Sequence, residues 1–557
     1  MAKKRPPKKQ AKKRSKKRRT RDRAGQTETL SPKAQMLQKR AAASARQQVI
    51  KDIASTVFGT TLLGLVVGLL VEPKLGIALV AALSSLILSF KYQRQALYAL
   101  IIYVPFAGTV VYALGGSAIL QLAKDLFYIP ALLGVVQFCR KNRLPLVIPA
   151  AIKLPLGLLL TLVLLTLLLV NAPQQFQSEG EQPIIMGILG LKILLGYLPL
   201  IACIYYLIRT SKDLYFLLRL QVVLVLVACS LGMIQYLMLK TGICSATAGT
   251  GEELFRASTA ARCLVGGSLL YAPGEGQIRL PGTFAAPWQW GWFLISSAFF
   301  SFGTTFNDRS PFWRLLGLIS LVAVMIMSVI SGQRIALLLV PSAIVLLSVL
   351  TGQIANLKRF VPIAIVMGLI LTFLIVRNPD VVQARINSFQ SRWNASPPIG
   401  FIQNQFGQVM GEQEGIFGRG VGRATNATRT FGETVLLETY HPKLLYEIGP
   451  LGLLAVLMLY TTLTISTFRA YRATKDKYLR GYAASMWVFV LFISYFPYYY
   501  PLDVDPVGVY YWLAAGIALK LPEIDREERE AAEAFRAEAE GRSPRLKRRR
   551  KKTPEFV

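Results

Sequence analysis

The chain has 557 residues, 53% of them hydrophobic, and a mean hydropathy of +0.43, which together exclude a soluble globular enzyme. Apolar runs near the roughly 20 residues that a helix needs to cross a bilayer recur along the sequence. Because these runs lack the alternation of barrel strands and exceed their length, we predict an all-α polytopic membrane protein.

The formal charge of +34 is concentrated at the N-terminus, where residues 1–51 hold about 19 Lys and Arg against about 2 acids. This segment has no aromatic residue to stack on bases and no predicted fold to enter a groove, so we predict no nucleic-acid partner. We expect a disordered cytoplasmic tail that binds anionic lipid headgroups and fixes the orientation. The first apolar run starts too late for a secretory signal peptide.

About fourteen apolar segments are predicted to span the membrane, and the prolines that interrupt some of them leave twelve or thirteen open. The segments lie near 53–71, 75–91, 96–113, 121–138, 144–170, 184–208, 214–239, 287–305, 313–331, 335–351, 360–376, 443–467, 482–500 and 505–520. They form a transmembrane region at 52–376 and a C-terminal helical region at 443–521. Residues 522–557 are expected to form a charged cytoplasmic tail with a helix and a basic cluster.

The charges of the loops orient these spans. From a cytoplasmic N-terminus every second loop should be cytoplasmic, and these loops are basic, as in RAYRATKDKYLR at 469–480. The alternate loop at 171–183 has no basic residue, as expected on the far side. Both termini are therefore predicted to be cytoplasmic, and the long loops 240–286 and 377–442 to lie on the opposite, non-cytoplasmic side of the membrane.

The five cysteines have no metal-ligand spacing, and a single histidine excludes a histidine-based metal site. An acid-based metal site stays open, but no pair of acidic residues on the predicted outer side is placed like a DxD motif, so we predict no metal. Cys244 and Cys263 lie in the outer loop 240–286. If that loop faces an oxidising compartment, they could form a disulfide, and the sequence leaves this open.

Two arginines stand beside apolar spans on the predicted non-cytoplasmic face. Arg279 precedes a glycine-containing turn in RLPGTFAAPWQW, and Arg334 lies in the tight turn of SVISGQRIALLLVP. An arginine at a membrane interface is costly unless it is paired or bound to an anion, which favours an anion site. The alternatives are an Arg334 that extends to lipid headgroups and an Arg279 that is an ordinary loop residue.

His441, the single histidine, closes the long loop in ETYHPKLLYEIGPLG. Because Pro442 disfavours helical geometry at its predecessor and suits the first helical position, we predict that His441 caps the next helix. There the helix dipole favours a neutral imidazole, which can accept a proton from a hydroxyl. The alternative is an interfacial histidine without a role. The glycines of FGRGVG, at 417–422, lack the context of a nucleotide cradle and are predicted to form a turn.

Several motifs occur in an order that resembles the O-antigen ligase and polymerase family of integral membrane glycosyltransferases. They are PGTF with Arg279 upstream, SGQRIALL, RINSFQSRW, GIFGRGVG and HPKLLYEIGPLGLL, over roughly residues 50–520. The resemblance implies transfer of a glycan from a polyprenyl diphosphate carrier to the hydroxyl of a glycan or lipid-glycan acceptor. It also implies an inverting reaction on the periplasmic face that needs no cofactor.

The resemblance further implies roles for individual residues. His441 would be the general base, and Arg279 and Arg334 would bind the diphosphate. Arg385 and Arg392 in the long loop would assist in anion binding. Glu447 would orient either the histidine or the helix. The chain departs from the family at Pro442, where relatives commonly have a small or polar residue.

Three classes of function remain open at this point: a glycosyltransferase, a transporter and a scaffold. The glycosyltransferase could be a ligase or a polymerase, which use the same donor and differ only in acceptor. A transporter or flippase of lipid-linked sugars is the main alternative, although its ionisable residues should lie near the bilayer midplane. A scaffold would explain the basic tails but not Arg334. We expect the loop 377–442 to be a partly helical lid over the lipid-linked donor.

Overall fold

The residues that the computed structural model describes are mainly helical, with one antiparallel pair of short strands among them, so the predicted all-α polytopic class is confirmed. The structure describes residues 32–113, 123–177, 179–244, 263–266, 270–272, 277–353, 365, 368–369, 372, 376–377, 379–395, 397–412, 415–499 and 501–540.

The helices are numbered in chain order. The first nine are α1 (Pro32–Leu70), α2 (Pro73–Lys91), α3 (Gln93–Tyr103), α4 (Ala107–Ala113), α5 (Asp125–Lys141), α6 (Ala150–Thr166), α7 (Ala172–Gln177), α8 (Pro183–Leu195) and α9 (Leu200–Leu207). A π-helical turn at Leu167–Asn171 joins α6 to α7.

The second half begins with α10 (Ser211–Lys240) and the antiparallel strands β1 (Leu270–Ala272) and β2 (Gln277–Arg279). It continues with α11 (Pro287–Asn307), α12 (Pro311–Ile330), α13 (Arg334–Leu350), α14 (Pro379–Ala395), α15 (Pro398–Glu412), α16 (Tyr440–Ala473), α17 (Lys477–Tyr495) and α18 (Asp505–Ala539). A short 3₁₀ turn at Pro501–Asp503 precedes α18.

Six helical segments of the described chain are long and apolar enough to cross a membrane, or seven if the bent pair α8 and α9 forms one span. The sequence predicted about fourteen. Most of 360–376 falls outside the described residues, and the residues described there are helical. Helices lie at the other thirteen predicted positions. Many of the remaining helices are shorter, as at Leu75–Lys91 and Arg334–Leu350, or less apolar than a membrane-crossing helix.

Residues 32–88 and 527–540 belong to one compact unit, in which Thr60 Oγ1 and Ser84 Oγ join α1 to α2 at 2.7 Å. The helix α1 begins at Pro32, so residues 32–51 are helical and not the disordered tail that the sequence predicted. The alanine-rich run 41–45 has high helix propensity and continues directly into an apolar helix, which explains the difference. Residues 1–31 lie outside the described part of the chain.

The second unit covers residues 89–526 and is built around α11. This helix packs against α10, α12, α13 and α17, and nearly all of its side chains are buried. A helix that is apolar on all sides lies either in the core of a protein or in a membrane. Its bulky residues Trp290, Trp292 and Phe293 lie in its first two turns, below the loops that carry the predicted site.

Candidate functional site

The two arginines predicted on the outer face lie in neighbouring turns. Arg279 ends β2 and Arg334 is the first residue of α13. The backbone N–H of Leu280 donates to the carbonyl of Ser331 at 2.9 Å, which joins the two turns directly. Segments about 50 residues apart in the chain are thereby held at one place.

A third segment, which the sequence analysis did not single out, passes through the same place. The N–H of Tyr499 donates to the Glu438 carbonyl at 2.7 Å, and the indole of Trp292 on α11 donates to the Tyr499 carbonyl at 3.2 Å. Tyr499 has a φ of +62°, a left-handed conformation that costs a bulky residue about 1–3 kcal/mol. Such strain persists only where the surroundings fix the backbone.

The phenol of Tyr499 is under the influence of both predicted arginines. Its pKa is raised to about 12, chiefly because the ring is buried and also because the Glu438 carboxylate acts on it. The positive charges of Arg279 and Arg334 act on the same phenol and oppose this rise. The backbone supports this placement, because Tyr499 is bonded to Glu438 and to Trp292 on α11, and Gly291 of the same helix packs beside Gln333, next to Arg334. We call Arg279, Arg334, Glu438 and Tyr499 the arginine site.

His441 is placed differently from its prediction. The helix α16 begins at Tyr440 with Thr439 as its extended cap, so His441 is the second helical residue. Thr439 forms a bridge with Tyr498, and the Tyr440 N–H donates to the Pro497 carbonyl at 2.7 Å. These contacts with the segment before Tyr499 set the start of the helix. Pro442 is tolerated in the first turn because N–H groups there have no intrahelical acceptor.

The imidazole of His441 has one nitrogen available. The ring hydrogen-bonds to the backbone of Ser494, in the last turn of α17, where carbonyl groups lack intrahelical partners. Its Nε2 is buried and has no hydrogen-bond partner among the residues that the structure describes. In a neutral imidazole, the nitrogen that meets a carbonyl carries the proton, and the other nitrogen is a proton acceptor.

The turn predicted at FGRGVG packs against a break in α16. Gly449 interrupts the helix with φ +70° and ψ −179°, and Pro450 has no N–H to donate to the Tyr446 carbonyl. The N–H groups of Arg419 and Gly420 donate instead to the carbonyls of Tyr446 and Glu447, at 2.7 and 3.2 Å. The glycine-rich turn therefore satisfies the backbone groups that the break leaves open.

The same turn is anchored on its other side by Asn171, a fully buried residue at the end of the π-helical turn. Its amide donates to the carbonyls of Pro183 and Val421 at 3.0 Å and accepts from the Val421 N–H at 2.9 Å. Nearby, Arg423 forms an ion pair with Glu181 at 2.9 Å. The loop before α16 is thus fixed to the loop between α7 and α8.

Glu447 supports the helix and the loop. Its carboxylate accepts from the Ala424 N–H at 2.8 Å and from Thr425 Oγ1 at 2.9 Å. It also lies 3.7 Å from Lys443 Nζ, which in turn pairs with Asp503 at 2.5 Å. The side chains of Lys443, Glu447 and Asp503 are 3%, 5% and 11% exposed, so they form a buried ionic cluster. Of the two roles predicted for Glu447, these contacts support orientation of the helix.

The remaining predicted residues lie elsewhere. Arg385 and Arg392 are on α14, and their side chains fall outside the described residues. Cys244 and Cys263, whose pairing the sequence left open, form a disulfide in the structure with Cα atoms 5.7 Å apart. The Cys263 carbonyl accepts from the Gln235 amide at 3.0 Å, which ties this bridge to α10. Within the described ranges, no group of three or more His, Cys, Asp or Glu side chains could hold a metal ion.

Comparison with known proteins adds no family to this description. The chain matches no protein-family model and no curated protein sequence.

Proposed function

We propose that the protein is a membrane glycosyltransferase that moves a glycan from a polyprenyl diphosphate carrier to an acceptor hydroxyl. One observation supports this most directly: the turns that carry Arg279 and Arg334 are joined by the hydrogen bond from the Leu280 N–H to the Ser331 carbonyl. The extended segment that leads to His441 hydrogen-bonds to the segment that carries Tyr499. Two cations and a proton acceptor are thus attached to the same backbone framework.

In the proposed reaction the two guanidinium groups bind the diphosphate and stabilise its charge as it leaves, because arginine forms bidentate contacts with phosphate. The free nitrogen of His441 accepts the proton of the acceptor hydroxyl. The hydroxyl oxygen attacks the anomeric carbon from the face opposite the diphosphate, so the new glycosidic bond has inverted configuration. The proton remains on the imidazole, and polyprenyl diphosphate is released.

The proposed setting is the periplasmic face of a bacterial inner membrane, with a lipid-linked oligosaccharide as donor and a glycan or lipid-glycan as acceptor. The acceptor separates a ligase from a polymerase. In a deletion strain, loss of glycan ladders indicates a polymerase, whereas unattached ladders indicate a ligase.

Transfer is tested with purified protein, a lipid-linked oligosaccharide donor and an acceptor glycan. We expect His441→Gln to reduce transfer by about 10²- to 10⁴-fold, the usual contribution of a general base, while the donor still binds. Arg334→Gln should weaken donor binding. Lys477→Gln, an exposed change at the start of α17, is the matched control and should leave both unchanged. Full transfer by His441→Ala would contradict the assignment of the base.

Transport of lipid-linked sugars is a second candidate, favoured by a different observation. The apolar helices α8 and α9 bend by 42° at a break, and Lys192 on α8 pairs with Asp125 on α5 at 2.8 Å. Broken helices with ionisable residues are common at the substrate sites of transporters. The fate of the donor separates the two functions, because a transporter leaves the diphosphate linkage intact.

A further inference from the structure

We propose that Tyr499 is a third ligand-binding group of the arginine site, and that its phenol O–H donates a hydrogen bond to the diphosphate of the donor. This inference rests on the proposed function and extends it to a residue that the sequence analysis did not identify. Its basis is the backbone of Tyr499, which is bonded to Glu438 and to Trp292 on α11, the helix whose Gly291 packs beside Gln333 next to Arg334. The charges of Arg279 and Arg334 that act on the phenol agree with this position.

The backbone around Tyr499 is fixed from several directions. Its N–H and carbonyl bond to Glu438 and to Trp292, and the preceding residue forms a bridge with Thr439. These contacts hold a bulky residue at a φ of +62°, a conformation that is uncommon outside glycine, asparagine and aspartate. Backbone strain of this kind is concentrated at ligand sites, where it presets a side chain for binding.

The charge of the proposed ligand explains why the third group should be a neutral donor. A diphosphate that links a prenyl chain to a sugar carries two negative charges, which the guanidinium groups of Arg279 and Arg334 balance. Its oxygens offer more acceptor positions than two arginines use in bidentate contacts. A phenol supplies a further hydrogen bond without adding charge, and it can remain in contact when cleavage gives the diphosphate additional charge.

The protonation state of the phenol is suited to this role. Burial and Glu438 keep the proton on the phenol at neutral pH, so the hydroxyl has a proton to donate. The groups that act on it electrostatically are the two arginines, Glu438 and Tyr498. Binding should therefore show no titration of Tyr499 across the neutral range.

The test is equilibrium binding of the full chain, purified in detergent, to a polyprenyl diphosphate and to inorganic pyrophosphate. We expect Tyr499→Phe to weaken binding of both probes by about tenfold, the effect of losing one hydrogen bond to a charged group. The dependence of affinity on salt should stay unchanged in this variant and become shallower in Arg334→Gln, because only the arginine contributes charge. Tyr498→Phe is the control, since that ring lies 5.7 Å from Phe401 on α15.

A second variant tests the hydrogen-bond donor without removing the hydroxyl group. Replacing Tyr499 by 3-fluorotyrosine makes the phenol more acidic and should tighten binding of both probes. Equal affinity of the wild type and Tyr499→Phe, or an equal loss in Tyr498→Phe, overturns the assignment of the phenol while the proposed function stands. If the wild type binds neither probe, the proposed function and the inference fall together.

Discussion

Replacement of Lys443 by methionine should destabilise the protein strongly, because it would leave two carboxylates buried without their cation. Lys443 Nζ lies 2.5 Å from Asp503 and 3.7 Å from Glu447, and its side chain is only 3% exposed. Removing one partner of a buried ionic pair costs about 3–5 kcal/mol, far more than loss of a surface pair. We expect Lys443→Met to lower the free energy of unfolding by about this amount.

Denaturant unfolding of the detergent-solubilised protein, followed by tryptophan fluorescence, measures this change. Lys477→Met, an exposed replacement on α17, is the matched control and should change the free energy by less than about 0.5 kcal/mol. Adding Asp503→Asn to Lys443→Met should restore part of the stability, because one of the two orphaned charges is removed. The reasoning is refuted if Lys443→Met resembles the control, or if the double variant is as unstable as the sum of its single changes.

Three further predictions concern the framework of the site. Gly449→Ala should lower the free energy of unfolding by about 3 kcal/mol or more, because φ +70° is strained for alanine and the new Cβ would overlap the Ile416 carbonyl. Gly508→Ala is its control, since a Cβ there would meet no atom within 3.4 Å. Asn171→Ala should cost about 2–4 kcal/mol, measured by the same unfolding assay, because three backbone groups lose their partner. Because the pKa of Tyr499 is raised, its contribution to stability is complete below pH 10 and is lost as the pH rises towards 12. The free energy of unfolding of Tyr499→Phe should therefore depend less on pH over that window.

The helices could be predicted from the sequence because their signals are local. Length and apolar character mark each run, and a run of this kind has few stable alternatives to a helix. The positions of Arg279 and Arg334 beside two such runs were also readable. The predicted topology placed both arginines on one face of the membrane but did not bring them together. Their two turns are joined by the hydrogen bond from Leu280 to Ser331, which no local pattern specifies.

The segment around Tyr499 could not be identified in this way, because its contacts are distant in the chain. In the sequence, YYYPLDVDP at 498–506 resembles an interrupted span. In the structure its two acids pair with lysines that are distant in the chain, Asp503 with Lys443 and Asp505 with Lys124. The available signal was the presence of two acids between apolar helices, since such charges are costly there without partners.

The glycine-rich turn and the break in α16 form a single structural unit, and neither could be interpreted from its own stretch of sequence. Gly449 and Pro450 leave two helical carbonyls without donors, a cost that a buried helix avoids only if another segment supplies N–H groups. Arg419 and Gly420 supply them, and a Cβ at Gly418 would contact the backbone of α16 at 2.6 Å. The glycines are therefore required by close approach of two backbones rather than by a bound phosphate. This close approach also brings the loop to Glu447, whose carboxylate accepts from the Ala424 N–H. Glu447 also pairs with Lys443, so the ionic cluster stabilises the first turn of α16, which contains His441.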